Sequence, residues 1–229
     1  MKSLDKLSYV GSHEEFKGKS CFDVRSLDAV GIARKLATYT KAKKIYSQGD
    51  EAASVMYIQK GRVKLSVVND VGREAIVGIL GRGDFFGEGC LAGQRNRIGT
   101  ATSFTPTSIL IIEKSEMKRV LHSDQSLSDQ FMSYVLSRNI RIEQDLIDQL
   151  FNSSEKRLAR TLLLLARYTE DSQPHKMVPD VSQQMLAGMI GTTRSRVNYF
   201  MNKFKKLGFI QYDNGLQIDS SLLSVILHE

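Results

Sequence analysis

The hydrophobic pattern of this 229-residue chain changes its period once, from that of β-strands to that of α-helices. Between Lys41 and Ile112, apolar residues form short runs, and residues 63–67 alternate apolar and polar as a half-buried strand does. Residues 69–72 offer a hairpin turn between two such runs. After Asp124 the apolar residues recur at helical spacings instead. The sequence therefore predicts an α+β chain in which a sandwich or barrel of short strands precedes a helical part.

Composition and cysteine usage exclude several classes of protein. The hydrophobic fraction of 41% and the charged fraction of 25% are typical of globular domains and exclude a disordered chain. The two cysteines, Cys21 and Cys90, are too few for a disulfide scaffold and favour a reducing compartment. No apolar run is long enough for a bilayer, and the first residues lack the apolar core of a signal peptide. We therefore expect a soluble, cytoplasmic protein without a membrane partner.

The charge of the chain favours an anionic partner. Lysine and arginine number 32 against 25 acidic residues, which gives a net charge of +7. Such a surplus favours nucleic acid ahead of membrane, although many ordinary proteins are equally basic. The distribution is more specific, because residues 191–208 contain five basic residues and no acid: Arg194, Arg196, Lys203, Lys205 and Lys206.

One long helix is predicted over residues 124–151, with two neighbouring apolar stripes. The first stripe comprises Met132, Leu136, Ile140, Ile147 and Leu150, and the second comprises Leu127, Phe131, Val135, Ile142 and Leu146. One stripe can cover the β domain while the other pairs with a second copy of the chain. The alternative is a single helix that crosses its own core. Its length without a breaker favours dimerisation.

The C-terminal part, residues 152–229, has the pattern of a winged helix-turn-helix. Residues 152–155 have capping-box spacing and begin a new helix. Ser182 is a good N-cap for a helix that ends at Gly191, and Thr192 or Thr193 can cap a second, basic helix. A hairpin with an Asn-Gly turn follows over residues 209–218. The alternative, a surface amphipathic helix with solvated charges, does not account for the turn and the hairpin together.

From about residue 30 onward, the chain resembles the cyclic-AMP receptor protein and fumarate–nitrate regulator (CRP/FNR) family of bacterial transcription factors. The resemblance is carried, in order, by residues 48–50 with 56–63, 83–88 with 97–101, 156–163, and 190–197. It implies a cyclic-nucleotide-binding β-roll (a double-stranded β-helix) over residues 31–123. A dimerisation helix over 124–151 and a winged helix-turn-helix DNA-binding domain over 152–229 would follow. Residues 1–30, which are polar and poorly periodic, are interpreted as an N-terminal extension.

An effector site is predicted in the β-roll. A cyclic phosphate needs a fixed cationic fork and backbone amides, which Arg97 and the turn after it can supply. Glu88 can accept a hydrogen bond from a ribose 2′-hydroxyl. The resemblance implies that cyclic AMP or another cyclic nucleotide is the effector. It places the site at Gly87, Glu88, Gly89, Arg97, Ile98, Gly99, Ile142 and Glu143. Gly89 stands where the family often has leucine, and the usual adenine contact is not reproduced at positions 142 and 143.

The DNA contacts are predicted at the start of each helix of the helix-turn-helix. Arg194 and Arg196 offer donor forks for guanine, and the two threonines suit phosphate contacts. By resemblance, Arg194, Ser195 and Tyr199 read bases, and the serine in place of a family glutamate alters the preferred half-site. The full set is Ser182, Gln183, Thr192, Thr193, Arg194, Ser195, Arg196, Asn198 and Tyr199. A dimer would bind palindromic double-stranded DNA, and the family resemblance adds RNA polymerase as a partner.

The sequence gives no sign of catalysis or of a metal site. No Gly-x-Ser-x-Gly motif or paired carboxylates occur, and the four histidines have no metal-ligand spacing. Two cysteines cannot ligate an iron–sulfur cluster. Cys90 lies beside the predicted pocket, where a redox sensor is one interpretation and a small buried thiol is the favoured one. We therefore predict a protein that is not an enzyme and holds no metal.

Three functions follow from these patterns. The first is a homodimeric transcription regulator gated by an effector in the β-roll. The second has the same fold with a vestigial pocket, so that DNA binding needs no effector. The third is a cyclic-nucleotide sensor that acts on a protein partner, against which the basic helix and the wing argue.

Overall fold

The computed structural model describes residues 33–167, 176–178, 181–213 and 215–227. The predicted N-terminal extension lies outside these residues. Within them, no helix combines the length and apolar composition needed to cross a membrane.

Eight short strands build the first folded part of the chain within the described residues. They are β1 (Arg34–Tyr39), β2 (Lys44–Tyr46), β3 (Ser54–Lys60), β4 (Val63–Val68), β5 (Glu74–Leu80), β6 (Phe85–Phe86), β7 (Thr100–Ser103) and β8 (Thr107–Glu113). They form two four-stranded antiparallel sheets, ordered β1-β8-β3-β6 and β2-β7-β4-β5. Apolar residues of both sheets, among them Ile58, Val63, Phe86, Ala101 and Ile109, make a common core. The predicted sandwich or barrel is confirmed.

The β4–β5 hairpin forms at the predicted turn. The backbone N–H of Gly72 donates to the carbonyl of Asn69 at 2.9 Å, and Gly72 has a φ of 76°. This left-handed conformation is one that glycine adopts without a steric penalty. Further along the hairpin, Leu65 pairs with Gly78 and Ser66 with Ile76, so Val77 has no partner across the ladder. Val77 is therefore a β-bulge.

Two helices follow the β-roll. No helix is predicted before Asp124, but α1 already spans Lys114–Ser123. That helix buries only Met117 and Val120 among charged neighbours, so its periodic signal is weak. Helix α2 spans Gln125–Phe151, and the Asp124 carboxylate caps it by accepting from the Leu127 N–H at 2.9 Å.

Helix α2 covers the β-roll with its first half only. Leu127, Phe131 and Tyr134 are buried, and Val135 packs against the same core. The second predicted stripe is divided between the two halves of the helix, because its later members Ile142 and Leu146 are 54% and 57% exposed. Every member of the first stripe is exposed: Met132, Leu136, Ile140, Ile147 and Leu150. A wide apolar surface therefore remains uncovered along the second half of the helix.

The C-terminal part folds as a second unit around its own core. Its elements are α3 (Ser154–Arg167), β9 (Lys176–Val178), α4 (Gln183–Ile190), α5 (Arg194–Lys206), β10 (Ile210–Tyr212), β11 (Leu216–Ile218) and α6 (Ser224–Leu227). The core contains Leu158, Leu162, Leu186, Val197, Phe204 and Ile218, among others. Strands β10 and β11 form the predicted hairpin, and β9, which was not predicted, adds a third antiparallel strand.

Candidate effector site and DNA-binding surface

Arg97 lies in the chain between a short 3-10 helix (Glu88–Ala92) and β7, and its side chain is buried. It is only 5% exposed. Its guanidinium donates to the carbonyl of Gly87 at 2.9 Å and to the carbonyl of Ser54 at 2.7 Å. The guanidinium carbon lies 4.5 Å from the ring centroid of Tyr46. The Nε atom is buried without a hydrogen-bond partner, and no described carboxylate forms an ion pair with Arg97.

Glycines make this arrangement possible. Gly87 has a φ of 77°, and a Cβ there would lie 2.5 Å from the Arg97 Nη1 atom. A Cβ at Gly99 would lie 2.7 Å from the carbonyl oxygen of Ser66, which leaves no room for a side chain. At Gly89, the missing side chain is replaced by the end of Gln94, whose Oε1 occupies the position. The structure thus brings the predicted Gly87 directly against Arg97.

Glu88 connects this site to the long helix. Its Oε1 accepts from the Nη1 of Arg138 at 2.9 Å, and the same Nη1 donates to the carbonyl of Phe85 at 2.8 Å. One turn earlier on α2, the hydroxyl of Tyr134 accepts from the Phe85 N–H at 2.8 Å. Burial raises the pKa of the Tyr134 hydroxyl, so it stays neutral at physiological pH. Two residues of α2 therefore hold the strand and turn that carry Glu88.

Sequence reasoning missed four residues of this site: Ser54, Tyr46, Tyr134 and Arg138. Arg138 precedes the predicted Ile142 by four residues, so helical spacing alone places the two on one face of α2. Tyr46 and Ser54 carry no such signal, because they reach Arg97 only through strand packing. Burial raises the pKa of the Tyr46 hydroxyl to about 12.

The remaining predicted effector residues form no hydrogen bond with the Arg97 side chain in the part of the chain that the structure describes. Ile98 is 74% exposed and Ile142 is 54% exposed. The carboxylate of Glu143 accepts from the Asn139 amide on the same helix at 2.7 Å.

Cys90 is fully buried beside the effector site. Burial is the main cause that raises the pKa of its thiol. A neutral, inaccessible thiol agrees with the favoured interpretation of a small core residue. Among the described residues, no group of three or more histidine, cysteine, aspartate or glutamate side chains is placed to hold a metal ion.

The helix-turn-helix forms with the predicted caps. The Ser182 hydroxyl accepts from the Met185 N–H at 3.1 Å and begins α4. Gly191 ends that helix with a φ of 63°. Of the two candidate threonines, Thr193 caps α5, because its hydroxyl accepts from the Arg196 N–H at 3.3 Å. Local side-chain chemistry therefore sets both helix starts and the turn between them.

Helix α5 has one buried and one exposed face. Val197, Phe200, Met201 and Phe204 are buried. The exposed face carries Arg194, Ser195, Arg196, Asn198 and Tyr199. The Gln183 amide of α4 donates to the Asn198 side-chain oxygen at 3.2 Å, which joins the two helices at this surface. Thr192, just before α5, is half-buried. Lys203, in the second half of α5, forms an ion pair with Glu155 at 2.8 Å.

Two family models match the chain in the order of its two folded parts. The cyclic nucleotide-binding domain matches residues 36–124, and the Crp-like helix-turn-helix domain matches residues 156–220. The chain belongs to the CRP/FNR family of transcription regulators. It is thus a regulator with a nucleotide-binding type of domain and a DNA-binding domain, and not an enzyme.

Curated relatives of this CRP/FNR protein cover most of its length. The CRP-like cAMP-activated global transcriptional regulator of Mycobacterium tuberculosis is 24% identical over 177 residues, which is 76% of this chain and 79% of the relative. The global nitrogen regulator of Synechocystis is 29% identical over 192 residues, 82% of this chain and 83% of the relative.

Solved structures show the same fold. The c-di-GMP responsive global regulator CLP of Xanthomonas campestris has a TM-score of 0.73 at 20% identity, and covers 86% of this chain and 98% of its own. FixK2 of Bradyrhizobium japonicum has a TM-score of 0.72 at 17% identity, with 85% and 96% covered.

Proposed function

We propose that this CRP/FNR regulator is a homodimer that binds a palindromic DNA operator and is gated by an anionic effector of the cyclic-nucleotide class. The observation that carries the effector is the buried guanidinium of Arg97, which has no carboxylate partner among the described residues. An isolated buried charge is costly unless a counter-charge compensates it. The phosphate of an effector is the counter-charge that fits here.

The donors around Arg97 suit a cyclic phosphate. Two of its guanidinium nitrogens are held by the carbonyls of Gly87 and Ser54, which fixes the plane of the fork. Its Nε is left as a donor without a partner. The backbone N–H groups of Ile98 and Gly99 follow directly in the chain. A fixed fork beside backbone amides is the arrangement in which proteins bind phosphate.

The sugar and base of the effector would meet Glu88 and α2. Glu88 uses Oε1 for Arg138, which orients the carboxylate and leaves Oε2 to accept from a ribose 2′-hydroxyl. Ile142, one turn beyond Arg138, offers an apolar contact and no hydrogen bond to a base. We therefore propose a cyclic nucleotide as effector, bound without the family's usual adenine contact.

The exposed first stripe of α2 supports the homodimer. Its members extend from Met132 to Leu150 at spacings of four, four, seven and three residues, which keeps them on one side of the helix. Pairing with the same stripe of a second copy would bury them as a coiled-coil seam does. Two recognition helices related by a two-fold axis would then meet half-sites about one helical turn apart. DNA binding in turn implies action in the cytoplasm, with RNA polymerase as the further partner.

Calorimetry tests the effector. Cyclic AMP and cyclic GMP are titrated into the wild-type protein, Arg97→Ala and, as the matched control, Arg95→Ala, whose side chain is exposed two residues earlier. We expect saturable heat with at least one nucleotide, lost in Arg97→Ala and kept in Arg95→Ala. Because the chain has no tryptophan, calorimetry replaces tryptophan fluorescence.

The alternatives give different results. A protein that binds DNA and shows no heat with either nucleotide would support the regulator with a vestigial pocket. A protein that binds a nucleotide but no DNA in a salt-sensitive mobility shift would support the sensor of a protein partner, since phosphate contacts make DNA affinity fall steeply with salt.

A further inference from the structure

The first helix of the helix-turn-helix lies directly against the sensor domain of its own chain. At Gly188 of α4, an added Cβ would lie 3.6 Å from the Cγ1 of Ile76 and 3.8 Å from the carbonyl oxygen of Glu74, both on β5. Ile79, also on β5, packs against the core of the DNA-binding domain. The two folded parts therefore share an apolar contact in addition to the helix that links them.

The bulge at Val77 creates this contact. In a regular strand, residues three apart point to opposite faces of the sheet. The unpaired Val77 shifts the phase by one residue, so Ile76 and Ile79 both face the DNA-binding domain. Leu80, the next residue, packs inside the β-roll. Without the bulge, one of the two isoleucines would point away from α4.

Gly188 shapes the other side of the contact. It lies in the last turn of α4, two residues before Ile190, where glycine is a poorer helix former than alanine. Its φ is not in the left-handed region, so backbone conformation does not require glycine here. The close approach of β5 is what a large side chain at this position would prevent.

A second contact holds the end of the same helix. The Nε of Arg157 donates to the Ile190 carbonyl at 3.1 Å, and its Nη1 donates to the carbonyls of Gln149 and Asn152 at 2.9 and 3.0 Å. One guanidinium thus joins the last turn of α4 to the end of α2. With β5 against Gly188, helix α4 is fixed from two directions.

We propose that Ile76 and Ile79 on β5, together with Gly188 on α4, form a seat that sets the orientation of the helix-turn-helix for DNA binding. The seat leaves Arg194, Arg196 and Tyr199 exposed, so it positions the recognition helix and does not cover it. A helix fixed in advance loses less freedom on binding. Two fixed helices also accept only one half-site spacing. The proposal rests on the sequence-specific dimer proposed above.

Cross-linking tests whether the seat is occupied in solution. Ile76→Cys with Gly188→Cys places one sulfur near the present Cγ1 of Ile76, within reach of the other. The matched control is Val77→Cys with Gly188→Cys, since the bulged Val77 is 61% exposed. Cys21→Ser is added to both. We expect rapid disulfide formation within one chain for the first pair only. Equal rates for both pairs would overturn the seat.

DNA binding tests what the seat does. A DNA site is first selected from a random pool with the wild-type protein. The oxidised Ile76→Cys, Gly188→Cys protein is expected to bind that site as well as its reduced form does. Loss of binding on oxidation, restored by reduction, would show that the seat is a resting position and would overturn the proposal.

A wedge in the seat gives a second, independent readout. Gly188→Phe is expected to weaken binding to the selected site about tenfold, and to reduce discrimination against a site with altered half-site spacing. Binding to unrelated DNA should stay unchanged. Gly188→Ala is the control, because its Cβ would make ordinary contacts. A folded Gly188→Phe protein with unchanged spacing preference would contradict the proposal. If the wild type selects no sequence, the proposed function fails, while the cross-linking result still stands by itself.

Discussion

The guanidinium of Arg138 lies 2.9 Å from the carboxylate of Glu88, and this ion pair joins the long helix to the turn that borders the effector site. Both side chains are mostly buried, at 18% and 28% exposure. The pair is a direct contact between the turn that carries Glu88 and helix α2.

Removal of Arg138 is expected to destabilise the protein. Arg138→Leu removes the ion pair to Glu88 and one of the donors to the Phe85 carbonyl, to which the Tyr134 hydroxyl still donates at 3.1 Å. We expect a cost of about 1–3 kcal/mol. This loss is measured as the decrease in the free energy of unfolding, which is obtained from urea titration. Arg141→Leu is the matched control one turn along, where the partner Asp84 is 3.8 Å away and Arg141 is 48% exposed. That control should cost less than about 0.5 kcal/mol, and equal losses would show that the Glu88 pair contributes nothing specific.

A methyl group at Gly87 is expected to displace Arg97. Gly87→Ala and Gly93→Ala both strain a left-handed backbone, with φ of 77° and 96°, which costs about 1–2 kcal/mol in each. Only the first adds a clash, because a Cβ at Gly87 lies 2.5 Å from Arg97 while nothing lies within 4 Å of one at Gly93. Calorimetric nucleotide affinity should therefore fall in Gly87→Ala alone. A similar loss in both variants would mean that strain, not Arg97, is responsible.

Substitution of Arg194 is expected to change the DNA sequence preference at a single base pair. Arg194→Ala should cost about 1–3 kcal/mol on the selected site and relax specificity at one base pair. Lys206→Ala, at the exposed far end of the same helix, should weaken binding to all sequences alike and lower the salt slope by about one. Mobility shifts on a set of single-base variants measure both. An equal loss for Arg194→Ala on every sequence would exclude base reading by this residue.

Acidification is expected to remove the contribution that the Glu116 carboxylate makes to the stability of the fold. Hydrogen bonds from Arg119, and then from the Ala33 N–H, lower the pKa of the Glu116 carboxyl from 4.5 to about 2. A lowered folded-state pKa stabilises the fold above the unfolded value, so stability is lost as the pH falls from about 4.5 towards 2. Carbon NMR of the Glu116 carboxyl group, followed as a function of pH, measures its pKa. Arg119→Gln should raise the pKa of Glu116, whereas Lys118→Gln should leave it unchanged. An equal rise of this pKa in both variants would attribute the shift to the loss of net positive charge and not to the hydrogen bond from Arg119.

The dimer is expected to depend on the exposed stripe of α2. Leu136→Glu places a charge within the seam and should convert the protein to monomers in sedimentation experiments. Leu36→Glu makes the same change at a leucine on β1 with similar exposure, 58% against 55%. It should leave the oligomeric state unchanged. A dimer that persists in Leu136→Glu would assign the interface to another surface.

Features encoded by neighbouring residues could be predicted from the sequence. The caps at Ser182 and Thr193, the break at Gly191 and the hairpin turn at residues 69–72 depend on side chains within four positions of the backbone they affect. The strand and helix periods could also be recognised in the sequence, except in α1. That helix buries only two apolar side chains, Met117 and Val120, so its helical period is weak. The site residues carried over from the family resemblance include Gly87 and Arg97, which the structure does place in contact.

Only the tertiary structure decided the contacts between residues far apart in the chain. The sequence determined that a β-roll precedes a helix-turn-helix, because hydrophobic period and capping act locally. Three such contacts depend on how the sheets and helices pack. They are Arg138 with Glu88, Arg97 with Ser54 and Tyr46, and Ile76 with Gly188. A single bulged residue, Val77, turns two isoleucines toward the DNA-binding domain. No local pattern reveals that shift, since it becomes defined only when β4 pairs with β5.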